Sequence, residues 1–99
     1  MMKFKLKYLA EAKDQFLALE SGKDKNFQYK AVVKTLGLMQ INLRHPSLNT
    51  HNFGAISSPF DGEVFESYAQ NKTPGAYRVF LCYGLSPGYS YIIAITPYP

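Results

Sequence analysis

The chain has 99 residues, a formal charge of +4 and one cysteine, Cys82. This length is typical of one domain, so we expect residues 1–99 to form a single domain without an internal linker. One cysteine excludes an internal disulfide and a cysteine-rich zinc cluster, and it indicates a reducing, intracellular compartment. The apolar stretches are shorter than the roughly 20 residues that a membrane-spanning helix needs, so we expect no membrane contact. The positive charge permits a polyanionic partner without requiring one.

The first part of the chain predicts a strand followed by two helices. Residues 3–8 alternate lysines with apolar side chains, which is typical of a half-buried strand. Apolar residues then recur at helical spacing over residues 9–21, and Gly22 is expected to end that helix in a left-handed conformation. A second helix is expected to begin at Asp24 as its N-cap, with Gly37 weakening its later part. These two helices form an αα-hairpin.

The second part of the chain predicts a long loop and then three strands. Residues 43–61 are rich in Pro, Gly, Asn and Ser, and loops of this length tend to be functional. We expect strands over residues 63–69, 76–83 and 89–96, separated by turn-forming residues. The last strand is apolar throughout, which favours a place in the sheet centre. The expected fold class is α+β, in the order β-α-α-β-β-β, with the helix hairpin packed on one face of a small, mainly antiparallel four-stranded sheet.

The same periodicities predict a core between the helices and one face of the sheet. Phe65 and Val79 are expected on the same side of the sheet, because a one-residue slip in register would invert every side chain. The residues expected in this core are Phe4, Leu6, Phe16, Val33, Leu36, Phe65, Val79, Ile93 and Ile95.

No standard catalytic motif is present in the sequence, neither a phosphate-binding glycine loop nor a nucleophile elbow. His45 and His51 could bind metal only with ligands from elsewhere, and we interpret them as exposed loop residues. Arg78 is unusual because it lies in an otherwise apolar strand. It either pairs with a carboxylate such as Glu66 or points into a groove that receives an anion. The tyrosines, which number eight, suit packing at sheet edges or stacking on bases.

The order of the elements and several local patterns resemble the RelE/ParE superfamily of bacterial toxin–antitoxin systems. The sequence Leu-Arg-His-Pro-Ser-Leu-Asn-Thr-His at residues 43–51 leads to a Phe-Gly step at residues 53–54. Residues 62–68 resemble the second strand of the family, and Tyr-Arg-Val-Phe at residues 77–80 resembles its third. Residues 92–99 resemble the closing strand. The resemblance covers nearly the whole chain and depends on the order and spacing of these patterns.

For RelE-like members the resemblance implies a cytoplasmic endoribonuclease that needs no metal or cofactor. Such a toxin cuts mRNA, often in the ribosomal A site, inhibits translation and binds a cognate antitoxin protein. Arg78 falls on the phosphate-stabilising Arg of the family, while Tyr98 or Glu66 would move a proton. The basic positions of the second strand fall on Glu66 and Tyr68, so neither charge is retained. On this resemblance, the candidate RNA-binding residues are Lys72, Arg44, Tyr68, Lys5 and Lys7.

Three functions remain open at this point. The first is the RelE-like nuclease, which the presence of Arg78 and Tyr98 favours. The second is a ParE-like toxin that binds DNA gyrase, favoured by the loss of the basic pair on the second strand. The third is a domain that has lost catalysis and acts only by binding a protein partner. The exposed lysines of residues 3–7 predict either salt-sensitive binding of an antitoxin or a solvated edge strand.

Overall fold

The computed structural model describes residues 5–43, 45–54, 62–70, 75–83 and 88–98. No helix in this part of the chain is long and apolar enough to cross a membrane. The sequence predictions that lie outside the described residues concern Lys3, Phe4, Arg44, Lys72 and most of the turns between the last three strands.

Two helices follow the first strand, as the sequence predicts. The bounds of these elements are β1 Lys5–Tyr8, α1 Ala10–Ser21 and α2 Asn26–Ile41. Helix α1 ends at Gly22 in an extended conformation with φ of −74°, so the predicted left-handed stop is wrong. The prediction of Asp24 as the N-cap is also wrong. Lys25 occupies that position, and its side chain makes no capping hydrogen bond.

Within the described residues the sheet has five strands, rather than the four expected from the sequence. The bounds of the later strands are β2 His51–Asn52, β3 Val64–Tyr68, β4 Tyr77–Tyr83 and β5 Tyr89–Pro97. The additional strand, β2, is a two-residue piece of the long loop and is too short to show a period. The strand order is β1-β5-β4-β3-β2, in which β1 runs parallel to β5 and the other pairs are antiparallel. Strand β5 is therefore interior, as its apolar sequence predicts.

The two helices cover one side of the sheet, termed here the helix face, and bury the larger apolar cluster there. Phe65 and Val79 both contribute to this cluster, which confirms the predicted register. Val33 is 42% exposed because its neighbour Val32 takes the buried position, so the prediction that Val33 lies in the core is wrong. The other predicted core residues that lie in or against this cluster are Leu6, Phe16, Leu36 and Ile95.

A β-bulge in β5 moves Ile93 to the opposite side of the sheet. Ile92 and Ala94 pair with consecutive residues of β4, which leaves Ile93 without a partner. The prediction that Ile93 shares the core with Ile95 is wrong for this reason. Just after the bulge, the N–H of Ile95 donates to the side-chain oxygen of Gln15 at 2.7 Å. This bond ties α1 to β5 where the strand is irregular.

The other side of the sheet, termed the site face, carries a second apolar cluster. Its buried members are Val64, Phe80, Cys82, Ile93 and Ala94. Leu9, Phe53 and Tyr91 pack against them from the described part of the chain. Arg78 lies on this face beside Phe80, as the alternation of β4 predicts. The face opposite the helices thus has a buried apolar cluster of its own next to Arg78.

Candidate functional site

Glu66 is the buried centre of a polar cluster on the site face. Its side chain projects from β3 and is only 3% exposed. One carboxylate oxygen, Oε1, lies 2.7 Å from His51 Nε2, and the other, Oε2, accepts a hydrogen bond from Arg78 Nη1 at 2.8 Å. A buried carboxylate without such partners is strongly unfavourable. These three side chains are termed the His51–Glu66–Arg78 cluster.

Arg78 reaches Glu66 because of the register between β3 and β4. Glu66 lies opposite Phe80, and Phe80 is two residues from Arg78 on the same face. The guanidinium carbon of Arg78 is 4.8 Å from the ring centroid of Phe80, 5.3 Å from that of Tyr98 and 5.7 Å from that of Phe53. Guanidinium groups interact favourably with aromatic rings at such distances. The three rings and the carboxylate leave the Arg78 side chain 15% exposed.

Glu66 uses only part of the hydrogen-bonding capacity of Arg78. A guanidinium carries five N–H donors on three nitrogens. Nη1 donates to Glu66, while Nε is buried and has no hydrogen-bond partner. Of the two alternatives that the sequence leaves open for Arg78, the pairing with Glu66 is present. The unused donors still allow an anion to bind.

His51 joins the cluster from β2, where it lies opposite Glu66. Its side chain is 45% exposed, and its Nδ1 lies 2.8 Å from the backbone carbonyl oxygen of Asn49. A carbonyl oxygen only accepts, so Nδ1 carries a hydrogen, and one further proton has to lie between Nε2 and the Glu66 carboxylate. An imidazolium beside an ionised carboxylate satisfies both of these contacts. His51 is exposed, as the sequence predicts, but it lies in β2 rather than in a loop and contacts Glu66.

Two tyrosines lie beside the cluster on the site face. The ring of Tyr68 is 5.3 Å from that of His51, and the ring of Tyr98 is 6.5 Å from that of Tyr68. Tyr98 follows β5, and its backbone exchanges hydrogen bonds with residues 75–76. The predicted site residues that the structure brings together are Glu66, Tyr68, Arg78 and Tyr98.

Lys5 and Lys7 lie apart from the cluster, on β1 at the other edge of the sheet. Both are exposed, and their ammonium groups lie 5.7 Å and 5.1 Å from the ring centroid of Tyr89. Strand β5 stands between β1 and β4, the strand that carries Arg78, and Glu66 and His51 lie further away on β3 and β2. The structure therefore does not bring these lysines next to Arg78. Arg44 and Lys72, the other predicted RNA contacts, lie outside the described residues.

A cavity of about 430 Å³ opens beside β2. Its apolar wall is formed by Leu43, Pro46, Phe65 and Tyr83. His51 lines this cavity and also contacts Glu66, and His45 lines the cavity as well. Nδ1 of His45 accepts a hydrogen bond from the backbone N–H of residue 47 at 3.1 Å. Among the described residues, no group of three or more His, Cys, Asp or Glu side chains could hold a metal ion.

Two solved structures have the same arrangement of strands and helices. The archaeal RelE–RelB complex from Pyrococcus horikoshii OT3 matches with a TM-score of 0.64 and 12% identity, over 97% of this chain and 96% of that one. The YoeB/ParE toxin from Agrobacterium tumefaciens matches with a TM-score of 0.68 and 7% identity, over 96% of this chain and 99% of that one. The chain has the RelE/ParE-like toxin fold. This confirms the resemblance inferred from the order of the sequence motifs, whereas no protein-family profile and no curated protein matches the sequence.

His51 and Phe53 are the residues of this site that sequence reasoning did not identify. The two residues are two positions apart in an extended segment, so both side chains point to the site face. Phe53 packs on Phe80 with ring centroids 4.9 Å apart. Their spacing of two residues is the available signal. It lies in a segment too short to separate a strand from a loop.

Proposed function

We propose that this chain is a RelE-like toxin of a type II toxin–antitoxin system. In this proposal it is a metal-independent endoribonuclease that works in the cytoplasm, cuts mRNA on or off the ribosome and inhibits translation. The observation that carries the proposal is Arg78, which lies on the face of this fold opposite the helices and retains donors that Glu66 does not use. An arginine in that position is suited to holding a phosphate group.

The proposed reaction is attack of the RNA 2′-oxygen on the adjacent phosphorus. The new bond to phosphorus forms as the bond to the 5′-oxygen breaks, and the proton lost from the 2′-hydroxyl is balanced by one delivered to the 5′-oxygen. Arg78 stabilises the negative charge that builds on the phosphate. Tyr98, whose ring lies beside Arg78, is the proposed proton carrier. Glu66 is buried with both oxygens occupied, so its role in this proposal is to orient Arg78.

RNA contacts beyond the cluster complete the proposal. Tyr68 presents an aromatic ring near His51, which suits stacking on a base. Lys5 and Lys7 offer exposed positive charge at the far edge of the sheet, where a strand of RNA crossing the site face could reach them. Arg44 and Lys72 are proposed for the same role from the sequence resemblance alone.

An antitoxin is the protein partner that this proposal includes. One of the structural neighbours is a RelE–RelB complex, which supports a partner of that kind for this chain. The exposed lysines of β1 favour an acidic binding segment.

Protein binding without nuclease activity is the second candidate function. The observation that favours it is the hydrogen bond between Arg78 and Glu66. In addition, Glu66 and Tyr68 occupy the two positions of the second strand that are basic in the family that the sequence resembles. In that case the target is DNA gyrase, as in ParE-like toxins, or an antitoxin-like partner of a fold that has lost catalysis.

The test is to express the wild-type chain and Arg78 variants in bacteria, measuring growth and the cleavage of ribosome-bound mRNA. Arg78→Ala is expected to abolish growth arrest, with a loss on the order of 10²–10³ in cleavage rate. Arg78→Lys is expected to stay inactive, since an ammonium cannot hold two phosphate oxygens as a guanidinium does. Lys34→Ala, at an exposed position of α2, is the matched control and is expected to remain toxic.

The outcomes separate the candidate functions. A wild-type chain that neither slows growth nor cuts RNA contradicts the nuclease proposal. Growth arrest with intact mRNA and inhibited DNA supercoiling assigns the chain to the gyrase-binding class. Thermal melts of Arg78→Ala and Glu66→Gln distinguish a purely structural pair, because in that case both variants melt at lower temperature and cleavage is unaffected in their folded fraction.

A further inference from the structure

We infer that His51 is a positioning residue whose protonation gives the His51–Glu66–Arg78 cluster the charge and geometry to hold a phosphate-like oxyanion. The inference rests on the proposed function in one respect: in that function the oxyanion is a phosphate of the RNA. Nothing in the sequence resemblance assigns a role to this histidine.

The first step is the charge of the cluster. Arg78 and protonated His51 each contribute one positive charge, and Glu66 contributes one negative charge. The protonated cluster therefore carries a net charge of about +1, whereas loss of the His51 proton leaves a neutral Arg78–Glu66 pair. Because Glu66 is 3% exposed and Arg78 15% exposed, this change in charge is screened less than at an open surface. The protonated cluster therefore attracts an anion more strongly than the neutral pair does.

The second step is competition for the carboxylate. Glu66 gives one oxygen to His51 and one to Arg78, so Arg78 is bound through Nη1 alone. Carboxylate and guanidinium prefer a two-point contact when nothing else competes. With His51 neutral, Oε1 loses its donor and is free to turn towards Arg78. That contact occupies the nitrogens that are otherwise left for an anion, among them the unpartnered Nε.

The third step is access and surroundings. His51 is 45% exposed, so a proton and an anion can both reach it from solvent. Its ring is held by the bond to the carbonyl of Asn49. In the described part of the chain, the charged or titratable groups around His51 are Glu66, Arg78 beyond it and the Tyr68 ring, with Tyr98 behind Tyr68. His45 and Tyr83 line the same cavity as His51. Histidine is the side chain whose charge ordinarily changes between about pH 5 and 8.

The experiment is an NMR titration of the full chain with sodium sulfate, following the Nε–H signal of Arg78 and the imidazole signals of His51. Sulfate keeps its charge over the range from about pH 5.5 to about pH 8, so a change in affinity reports on the protein. The wild type is expected to bind sulfate about tenfold more tightly at the lower pH. His51→Gln keeps a donor towards Glu66 without the charge, and we expect it to bind weakly at both pH values.

Two further variants make the result specific. His45→Gln removes a histidine of the same cavity that does not contact Glu66, and it is expected to behave as the wild type. His51→Lys places a permanent charge at the position and is expected to bind tightly at both pH values, so the inference stays testable if His51→Gln does not fold. Wild-type binding that does not change with pH overturns the inference, as does a pH dependence retained in His51→Gln.

Failure of the nuclease proposal can be distinguished from failure of the inference about His51. A wild type with pH-dependent sulfate binding but no RNA cleavage contradicts the nuclease and supports the anion site. A wild type that cuts RNA but binds sulfate equally at both pH values supports the nuclease and contradicts the role of His51.

Discussion

The two faces of the sheet bury their side chains in different ways. On the helix face, α1 and α2 cover a cluster of aliphatic residues, and little there depends on charge. On the site face, a smaller apolar cluster adjoins a buried carboxylate that contacts Arg78 and His51. An apolar core tolerates small changes of side-chain shape, whereas removal of one partner of a buried ion pair leaves an uncompensated buried charge. The helix face therefore provides general stability, and the site face depends on a few contacts.

Removal of Glu66 tests the dependence of the site face on its ionic contacts. Glu66→Ala leaves Arg78 and His51 without their shared counter-charge, so we expect the free energy of unfolding to fall by about 3–5 kcal/mol. Urea denaturation measures the loss. Glu66→Gln is the control and is expected to lose less, because its amide oxygen still accepts from Arg78. An Ala variant as stable as the wild type shows that the cluster contributes nothing to folding.

Two isoleucines of β5 allow the contributions of the two faces to stability to be compared directly, because they have the same residue type and lie in the same strand. Ile95 is 2% exposed on the helix face, and Ile93 is 9% exposed on the site face at the bulge. We expect Ile95→Ala to lower the free energy of unfolding by about 3–4 kcal/mol and Ile93→Ala by about 2 kcal/mol. Equal losses in urea denaturation contradict the view that the helix face is the main source of stability.

Ser90 is the exception on the helix-face side of β5, since its hydroxyl is buried without a hydrogen-bond partner. Removing an unsatisfied buried polar group relieves a desolvation penalty, so Ser90→Ala is expected to raise the free energy of unfolding by up to about 1 kcal/mol. Ser67→Ala is the matched control. That hydroxyl is also buried but lies 2.6 Å from the hydroxyl of Thr50, and its loss is expected to destabilise the chain. A shift of the same sign in both variants contradicts this explanation.

Tyr29 gives the smallest expected effect, from a polar contact in the helix layer. Its hydroxyl donates to the Glu20 carboxylate at 3.0 Å, and this bond, followed by partial desolvation and the charge of Glu20, raises the pKa of Tyr29 above 10.0. The stabilisation is therefore present below about pH 10 and is lost as the pH rises through the raised pKa. Tyr29→Phe is expected to melt slightly below the wild type near neutrality and to match it at strongly alkaline pH.

The contrast between polar and apolar residues decides what the sequence could predict. In β4 the single charged residue, Arg78, marks one face clearly, and both its face and its pairing with Glu66 could be anticipated. Residues 91–95 are all apolar, so no contrast reveals the bulge or the inverted position of Ile93. In α2, the adjacent Val32 and Val33 fit an apolar stripe equally well, and only packing against the sheet decides between them.

The role of His51 could not be predicted because it depends on the pairing of distant segments. His51 meets Glu66 only when β2 adds to the edge of β3, and a two-residue strand has no periodicity of its own. Thr50 fixes this addition through its contact with Ser67, again across a long separation in sequence. The sequence therefore indicates the Arg78–Glu66 half of the site, and the tertiary structure adds the histidine.

The parallel pairing of β1 with β5 has a consequence for how the protein is made. Residues 5–8 pair with residues 89–92, so the first described strand finds its partner only after more than 80 further residues have been synthesised. Bringing such distant segments together is entropically costly and slows folding. Strand β5 is also the neighbour that holds β4, and with it Arg78, in the sheet. During its own translation the growing chain therefore lacks the assembled His51–Glu66–Arg78 cluster until residues 89–92 have been synthesised.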